Sequence, residues 1–163
     1  MAIVALADLR ASLARGETLF GLDLGEKTIG IAVADLTGIV ATPLTTLART
    51  KFTADAAKLF ALMDGRGAGG LVIGLPLNMD GSQGPRAQST RAFASNLLRL
   101  KEIPIAFWDE RLSTAAVNRT LIDEGDISRQ RRGQIVDRAA AAWILQGALD
   151  WLRGPGSHRT RAL

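Results

Sequence analysis

The order of apolar and polar positions divides the chain into a short amphipathic start, two fully apolar runs, and then segments that switch between strand and helix periods. Ile3, Leu6, Leu9 and Leu13 lie three and four apart, which predicts a short helix within residues 3–15 that Gly16 ends. Thr18 to Leu24 and Thr28 to Ala34 are apolar at nearly every position, as strands covered on both faces are, with Gly25-Glu26-Lys27 as the tight connection. Ile39 to Leu47 follows the Leu36-Thr37-Gly38 turn as a third strand; Pro43 lacks a ladder donor, so this strand belongs at an edge. Thr53 is placed to cap a helix with Ala56, Leu59, Phe60 and Met63 as its apolar row, closed by the glycines at 65, 67, 69 and 70. Leu71 to Leu75 is a short buried strand, followed by a polar glycine-containing loop over residues 76–84. Pro85 suits the first turn of a helix with Phe93, Leu97 and Leu100 on one face, and Ile103 to Trp108 is a fifth strand. Ser113 then caps a helix bearing Val117 and Leu121, which Gly125 stops. Residues 126–133 form a basic loop, Ile135 to Leu152 a long apolar helix, and residues 154–163 a loose basic tail.

Three strands in hairpin succession followed by alternating helices and strands imply an α/β fold: a mixed sheet with right-handed crossovers and helices on both faces. With 163 residues, a single domain is expected over 1–153, with 1–16 as a helical extension at its N-terminal end. The composition, 47% hydrophobic and 22% charged, excludes a disordered chain. No apolar run approaches the length of a membrane span, and the Met1 to Leu6 run, broken by Asp8 and Arg10 and without a basic leader, does not read as a signal peptide. Cysteine is absent, which removes disulfides, thiolate zinc sites and cysteine nucleophiles, and makes the cytoplasm the natural compartment. The single histidine, His158, lies in the polar tail, so histidine catalysis is not expected. Twenty Lys and Arg against 16 Asp and Glu give +4, an excess that permits a polyanionic partner such as nucleic acid.

Against this background three carboxylates stand out. Asp23 lies inside an apolar strand, where burial of even a neutral polar group costs on the order of 2 to 7 kcal/mol unless it is partnered. A divalent cation, or the backbone donors of the Gly25 to Thr28 turn, would partner it; a turn-capping aspartate at a strand end is the plainer reading. Asp109 and Glu110 end the fifth strand, where the ligand crevice of an open parallel sheet lies, although Asp-Glu-Arg before a capping serine also describes a solvated turn. On a helix, Asp137 heads a row of Ala140, Ala141, Ile144 and Ala148, which places it at the border of the buried face; an ordinary first-turn acid is the alternative. Three acids from distant segments, each at the end of an element, suit two divalent ions about 3.5 to 4 Å apart. Such ions take hard oxygen ligands and bind phosphates, so Mg2+ or Mn2+ and phosphodiester hydrolysis follow. Arg129, Arg131, Arg132 and Arg138 bracket Asp137, Arg111 follows Glu110, Lys27 follows Asp23, and Arg86 opens a helix. With the Gly81 to Gly84 amides they can hold a phosphate backbone, or form a solvated basic surface.

Four blocks in order carry a family resemblance from about Phe20 to Trp151. They are Gly21-Leu22-Asp23-Leu24-Gly25 with Lys27 to Gly30, Val72-Ile73-Gly74-Leu75-Pro76-Leu77-Asn78-Met79-Asp80-Gly81, Asp109-Glu110-Arg111-Leu112-Ser113-Thr114, and Val136-Asp137 leading to Ile144-Leu145-Gln146. Together they resemble the YqgF (RuvX) family. The resemblance implies a ribonuclease H-like fold with sheet order 3-2-1-4-5 and a cytoplasmic nuclease role in 5′-end maturation of the 16S ribosomal RNA precursor, with Holliday-junction resolution as an older proposal. It also implies Asp23, Glu110 and Asp137 as the metal-binding acids; Lys27, Asn78, Arg86, Arg111, Arg131, Arg132 and Arg138, set around them, are the expected nucleic-acid contacts. Junction resolvases of the broader group carry their second acid at the end of the fourth strand, where this chain has Gly74-Leu75-Pro76. Here Glu110 must come from the fifth strand, about two strand spacings of roughly 4.8 Å from Asp23. Leu22-Asp23-Leu24-Gly25 with Lys27-Thr28 also resembles the first phosphate motif of actin-like and chaperone ATPases, which clasp ATP between two such domains. An RNA-binding ribosome-assembly factor without cleavage is the non-enzymatic alternative. The expected oligomeric state is a monomer or weak homodimer, with no membrane partner.

Overall fold

The computed structural model describes residues 3–112 and 129–154, the stretch 129–137 by its helical backbone alone. The elements are α1 (Leu6–Leu9), β1 (Thr18–Leu24), β2 (Thr28–Ala34), β3 (Ala41–Ala48), α2 (Phe52–Arg66), β4 (Ala68–Leu75), α3 (Pro85–Leu100), β5 (Ile105–Asp109) and α4 (Arg129–Arg153), with a 3-10 turn over Glu110–Leu112. The five strands form one sheet in the order β3-β2-β1-β4-β5. β1 runs antiparallel to β2 and parallel to β4, β2 antiparallel to β3, and β4 parallel to β5. This is the mixed, helix-covered sheet expected, with Pro43 on the edge strand, opposite Ala32 at a register shift.

The pleat sends alternate β1 side chains to two cores. Phe20, Leu22 and Leu24 pack with Ala56, Leu59 and Met63 of α2 and Phe93, Ala94 and Leu97 of α3. Leu19 on the other face packs with Ala141, Ile144, Leu145, Ala148 and Leu149 of α4. Each fully buried Leu, Ile or Phe among these contributes roughly 1.5–3 kcal/mol, so the central strand is held from both sides. No helix among the described residues is long and apolar enough to cross a membrane.

Several element ends differ from the sequence expectation. Ile3 and Val4 are not helical: Ile3 bridges Ile105 in parallel and the Val4 amide donates to the Ile105 carbonyl at 2.8 Å, so this segment covers the free edge of β5 and leaves only Leu6–Leu9 and a 3-10 turn to Ser12 as helix. The N-cap of α2 is Lys51 rather than Thr53. The carboxylate that orders this end is Asp55, only 3% exposed, which accepts from the Thr50 amide at 2.9 Å and the Thr50 hydroxyl at 2.7 Å. Gly67 alone closes α2, at φ +70 in the left-handed region; Gly65 is inside the helix, and Gly69 and Gly70 already belong to β4 because Ala68 pairs with Thr18. β5 begins two residues later than expected, after Pro104, and Leu100 at the end of α3 is 52% exposed instead of joining the buried row. α4 begins at Arg129, so 129–133 is helix and not loop: Arg and Gln are good helix formers, and the apolar period from which the start was read begins only at Ile135. The expected helix from Ser113 to Gly125 and the tail beyond Gly154 lie outside the described residues.

Candidate metal centre

Asp23 is the sixth residue of β1 and is 2% exposed. It shares its face of the sheet with Gly21, and that face is the one α4 covers. A Cβ on Gly21 would lie 2.6 Å from Leu145 Cβ and 2.9 Å from the Ala141 carbonyl oxygen, so the missing side chain is what lets α4 rest almost on the strand backbone. On its two sides, Asp23 is paired with Gly30 of β2 and, one step past the Leu22–Ile73 pair, stands beside Gly74 of β4. The carboxylate is thus flanked by two residues without side chains.

Gly74 is occupied from elsewhere. A Cβ there would lie 2.7 Å from Glu110 Oε1, 3.2 Å from Glu110 Cγ and 2.5 Å from Ile144 Cδ1. Glu110, half-buried in the 3-10 turn after β5, therefore lays its carboxylate across β4 on the α4 face, on the strand next to Asp23. Two strand spacings are reduced to about one of 4.8 Å, and the glycine at the end of β4 is the reason.

Asp137 is brought to the same end by α4. Leu149 packs in the core with Leu19, while Leu145 and Ala141 lie against Gly21, so α4 descends in number as β1 ascends. Four helical residues from Ala141 to Asp137 rise about 6 Å. Two strand residues from Gly21 to Asp23 rise about 6.6 Å. The Asp137 backbone consequently comes level with Asp23; its side chain is outside the described residues. Among the described residues no three Asp, Glu, His or Cys form a ready ligand set. The acids that do converge offer carboxylate oxygen over a cradle that a Cβ would fill, a donor set that fits a hard divalent cation.

Asp109, the other half of the strand-end pair, is committed to a different task. Arg111 donates to it from Nη2 at 2.6 Å, from Nε at 3.0 Å and from the backbone amide at 3.0 Å. The hydrogen bond from the guanidinium holds the Asp109 carboxyl below the usual carboxylate range and pushes Arg111 up. Arg111 Nη1 also donates to the Met79 carbonyl at 3.2 Å, tying the 76–84 loop to the end of β5. The loop is braced within itself. Asn78 Nδ2 donates to Ser82 Oγ at 2.9 Å, and the Ser82 hydroxyl and amide donate to Asp80, lowering its pKa.

The expected nucleic-acid contacts therefore separate into two groups. Lys27 in the β1–β2 turn, Arg86 at the start of α3 and Arg138 on α4 are exposed cations. Arg111 and Asn78 act first within the protein, as loop braces, and the Gly81 amide is used by the Asn78 carbonyl at 2.8 Å. The side chains of Arg129, Arg131 and Arg132 lie outside the described residues. One cation that the sequence reading passed over is Arg49, at the end of β3, whose Nη1 donates to the Gly25 carbonyl at 2.7 Å. Its signal is the hairpin register: pairing of Thr28 with Ala48 carries the next residue to the Gly25 turn.

A family model described as "RuvX: Holliday junction resolvase" matches residues 17–151. A protein of Phenylobacterium zucineum named "Putative pre-16S rRNA nuclease" is 63% identical over 154 residues, covering 94% of this chain and 99% of its own length. One of the same name from Paramagnetospirillum magneticum is 60% identical over 150 residues, covering 92% and 96%. Among solved structures, Thermus thermophilus RuvC in complex with a Holliday junction substrate superposes with a TM-score of 0.51 at 10% identity, over 85% of this chain and 96% of that one, a likeness of fold.

Proposed function

The chain belongs to the RuvX family, and from that premise we propose that Asp23, Glu110 and Asp137 hold divalent cations, Mg2+ or Mn2+, for phosphodiester hydrolysis in 5′-end maturation of the 16S ribosomal RNA precursor. The observation that carries this reading is the Glu110 carboxylate laid over Gly74 beside the strand of Asp23. Bound there, the cations would supply an activated water and stabilise the departing oxygen. The chain's own part is placement. Asp23 is fixed by a strand buried on both faces, Glu110 by the gap at Gly74, and the helix backbone that carries Asp137 by the close approach of α4 at Gly21. Lys27, Arg86, Arg131, Arg132 and Arg138 attract the phosphate backbone, while Arg111 and Asn78 keep the 76–84 loop in shape beside it. The near full-length identity to proteins named for pre-16S rRNA supports RNA as substrate, and the cytoplasm is the compartment that goes with it.

The test is cleavage of a precursor ribosomal RNA beside a four-way DNA junction under identical magnesium and salt. Wild type is expected to cut the RNA, and Asp23→Asn to lose at least about a hundredfold in rate. Unchanged activity in Asp23→Asn refutes the metal assignment, and RNA binding without cleavage by wild type leaves a ribosome-assembly factor. The family description favours one second reading, junction resolution. That activity has two equivalent strands to cut and calls for a two-fold dimer, so selective junction cleavage by a dimer would replace the RNA reading.

A further inference from the structure

Immediately beyond Asp23, on the α2/α3 side of the sheet end, is an open cleft of about 440 Å³ lined by Gly25, Thr50 and Ser89, by the two cations Arg49 and Arg86, and by one carboxylate, Glu26. Its two cations come from different elements. Arg49 is half-buried and held in place twice: Nη1 donates to the Gly25 carbonyl at 2.7 Å, and the guanidinium carbon lies 5.6 Å from the centre of the Phe93 ring. Phe93 is itself fixed edge-on by Phe52 at 5.4 Å. A guanidinium has five donors in a rigid fork, and one is used here. Neither Arg49 nor Arg86 has a carboxylate partner among the described residues. Arg86 stands in the first turn of α3, whose N-cap Gly84 provides no side-chain acceptor, so the positive end of a 16-residue helix adds to the field. Two guanidiniums in a polar cleft, one of them anchored on an aromatic ring, are built for an anion with several oxygens.

We propose that this cleft is a phosphate subsite: Arg49 and Arg86 together grip a backbone phosphate of the nucleic-acid strand whose neighbouring phosphodiester lies at the acids. The inference rests on the nuclease reading above and adds to it a second point of hold. The end of β1 at Leu24-Gly25 separates the cleft from the carboxylate by a single residue step, so a nucleic-acid strand seated in the cleft is led across the end of β1 to Asp23. Arg49 sets the register because it cannot swing away from Gly25 and Phe93. Arg86, exposed and without a side-chain partner among the described residues, closes on the phosphate from the helix end.

The experiment measures binding of a fluorescein-labelled single-stranded RNA and a four-way DNA junction by anisotropy, without added divalent metal, across a series of salt concentrations. Wild type, Arg49→Lys, Arg86→Ala and the double variant Arg49→Ala/Arg86→Ala are compared, with thermal melts to establish folding. Each lost arginine is expected to weaken binding about tenfold. The double variant should reduce the salt slope for single strands by roughly 0.7, one phosphate contact. Arg49→Lys keeps the charge and loses the fork, and should bind several-fold more weakly than wild type at an unchanged slope. If the double variant fails to melt cooperatively, Arg86→Ala and Arg49→Lys decide the matter. Affinity and slope equal to wild type in these variants overturn the subsite and leave the nuclease reading intact. Failure of wild type to bind either nucleic acid overturns both.

Discussion

Replacing Gly74 by alanine tests the proposed metal centre at its narrowest point. The new Cβ would sit 2.7 Å from Glu110 Oε1 and 2.5 Å from Ile144 Cδ1. Ordinary contacts begin near 3.4 Å, so the carboxylate must retreat by about 0.7 Å. The Ile144 methyl is the far end of a flexible side chain and rotates aside cheaply. Glu110 also meets the new carbon through Cγ at 3.2 Å, so its whole side chain has to lift off β4. Overpacking costs about 1–3 kcal/mol. Removing a strand glycine returns about 0.5–1 kcal/mol of that. The net destabilisation should therefore lie between about 0 and 2.5 kcal/mol. The effect on rate is larger in proportion, because a misplacement near 1 Å costs on the order of a hundredfold. Gly74→Ala should thus remain folded, lose roughly ten- to a hundredfold in kcat and need more Mg2+ for half-maximal rate, with RNA affinity unchanged. Steady-state cleavage of a quenched RNA over a magnesium series, beside urea denaturation, reads both quantities. Gly147→Ala is the control: its Cβ would press on the Trp108 ring, 2.9 Å from Cζ2, in the same layer but on no acid. A folded Gly74→Ala with kcat within threefold of wild type, or an equal loss in Gly147→Ala, would refute the claim that the glycine exists to seat Glu110.

Two further outcomes follow from the same structure. Gly21→Ala places a carbon 2.6 Å from Leu145 Cβ and 2.9 Å from the Ala141 carbonyl oxygen, atoms that only move with the α4 backbone; a stability loss of about 2–3 kcal/mol in urea is expected, with activity falling as α4 lifts Asp137 away. Asp35 accepts from the Thr37 hydroxyl and the Val40 and Ile39 amides, and these bonds lower its pKa from 3.8 to about 2. Because the folded value is depressed, its contribution to stability is complete above the unfolded value near 3.8 and disappears as pH falls through about 2. Carboxyl NMR should find its midpoint near the lower value, and one near 3.8 would contradict the turn geometry.

The apolar runs of β1 and β2, the Gly25-Glu26-Lys27 turn, Pro43 and Pro85 determine most of the element list locally, since each is a backbone preference or an alternation that needs no distant partner. Sheet order was legible through motifs in a fixed sequence order, whereas the candidate acids stand out by pattern alone, Asp23 inside an apolar run and Asp137 at the head of an apolar helical row. What local signals cannot carry is competition between distant segments. Ile3 fits a helical spacing, yet it and Val4 bond to β5 because an open edge offers backbone groups. Asp109 and Glu110 are adjacent and chemically alike. The guanidinium two residues on takes the first, and an absent side chain on the neighbouring strand receives the second. Arg49 reads as a strand-end cation until the hairpin register sets it against Gly25 and α3 brings Phe93 beneath it. The sequence by itself thus determined which residues are candidates for the chemistry and which elements carry them. The tertiary structure decided which of them meet, because that depends on the side chains missing at Gly21 and Gly74, and the space this leaves belongs to the packing of several strands and a helix together.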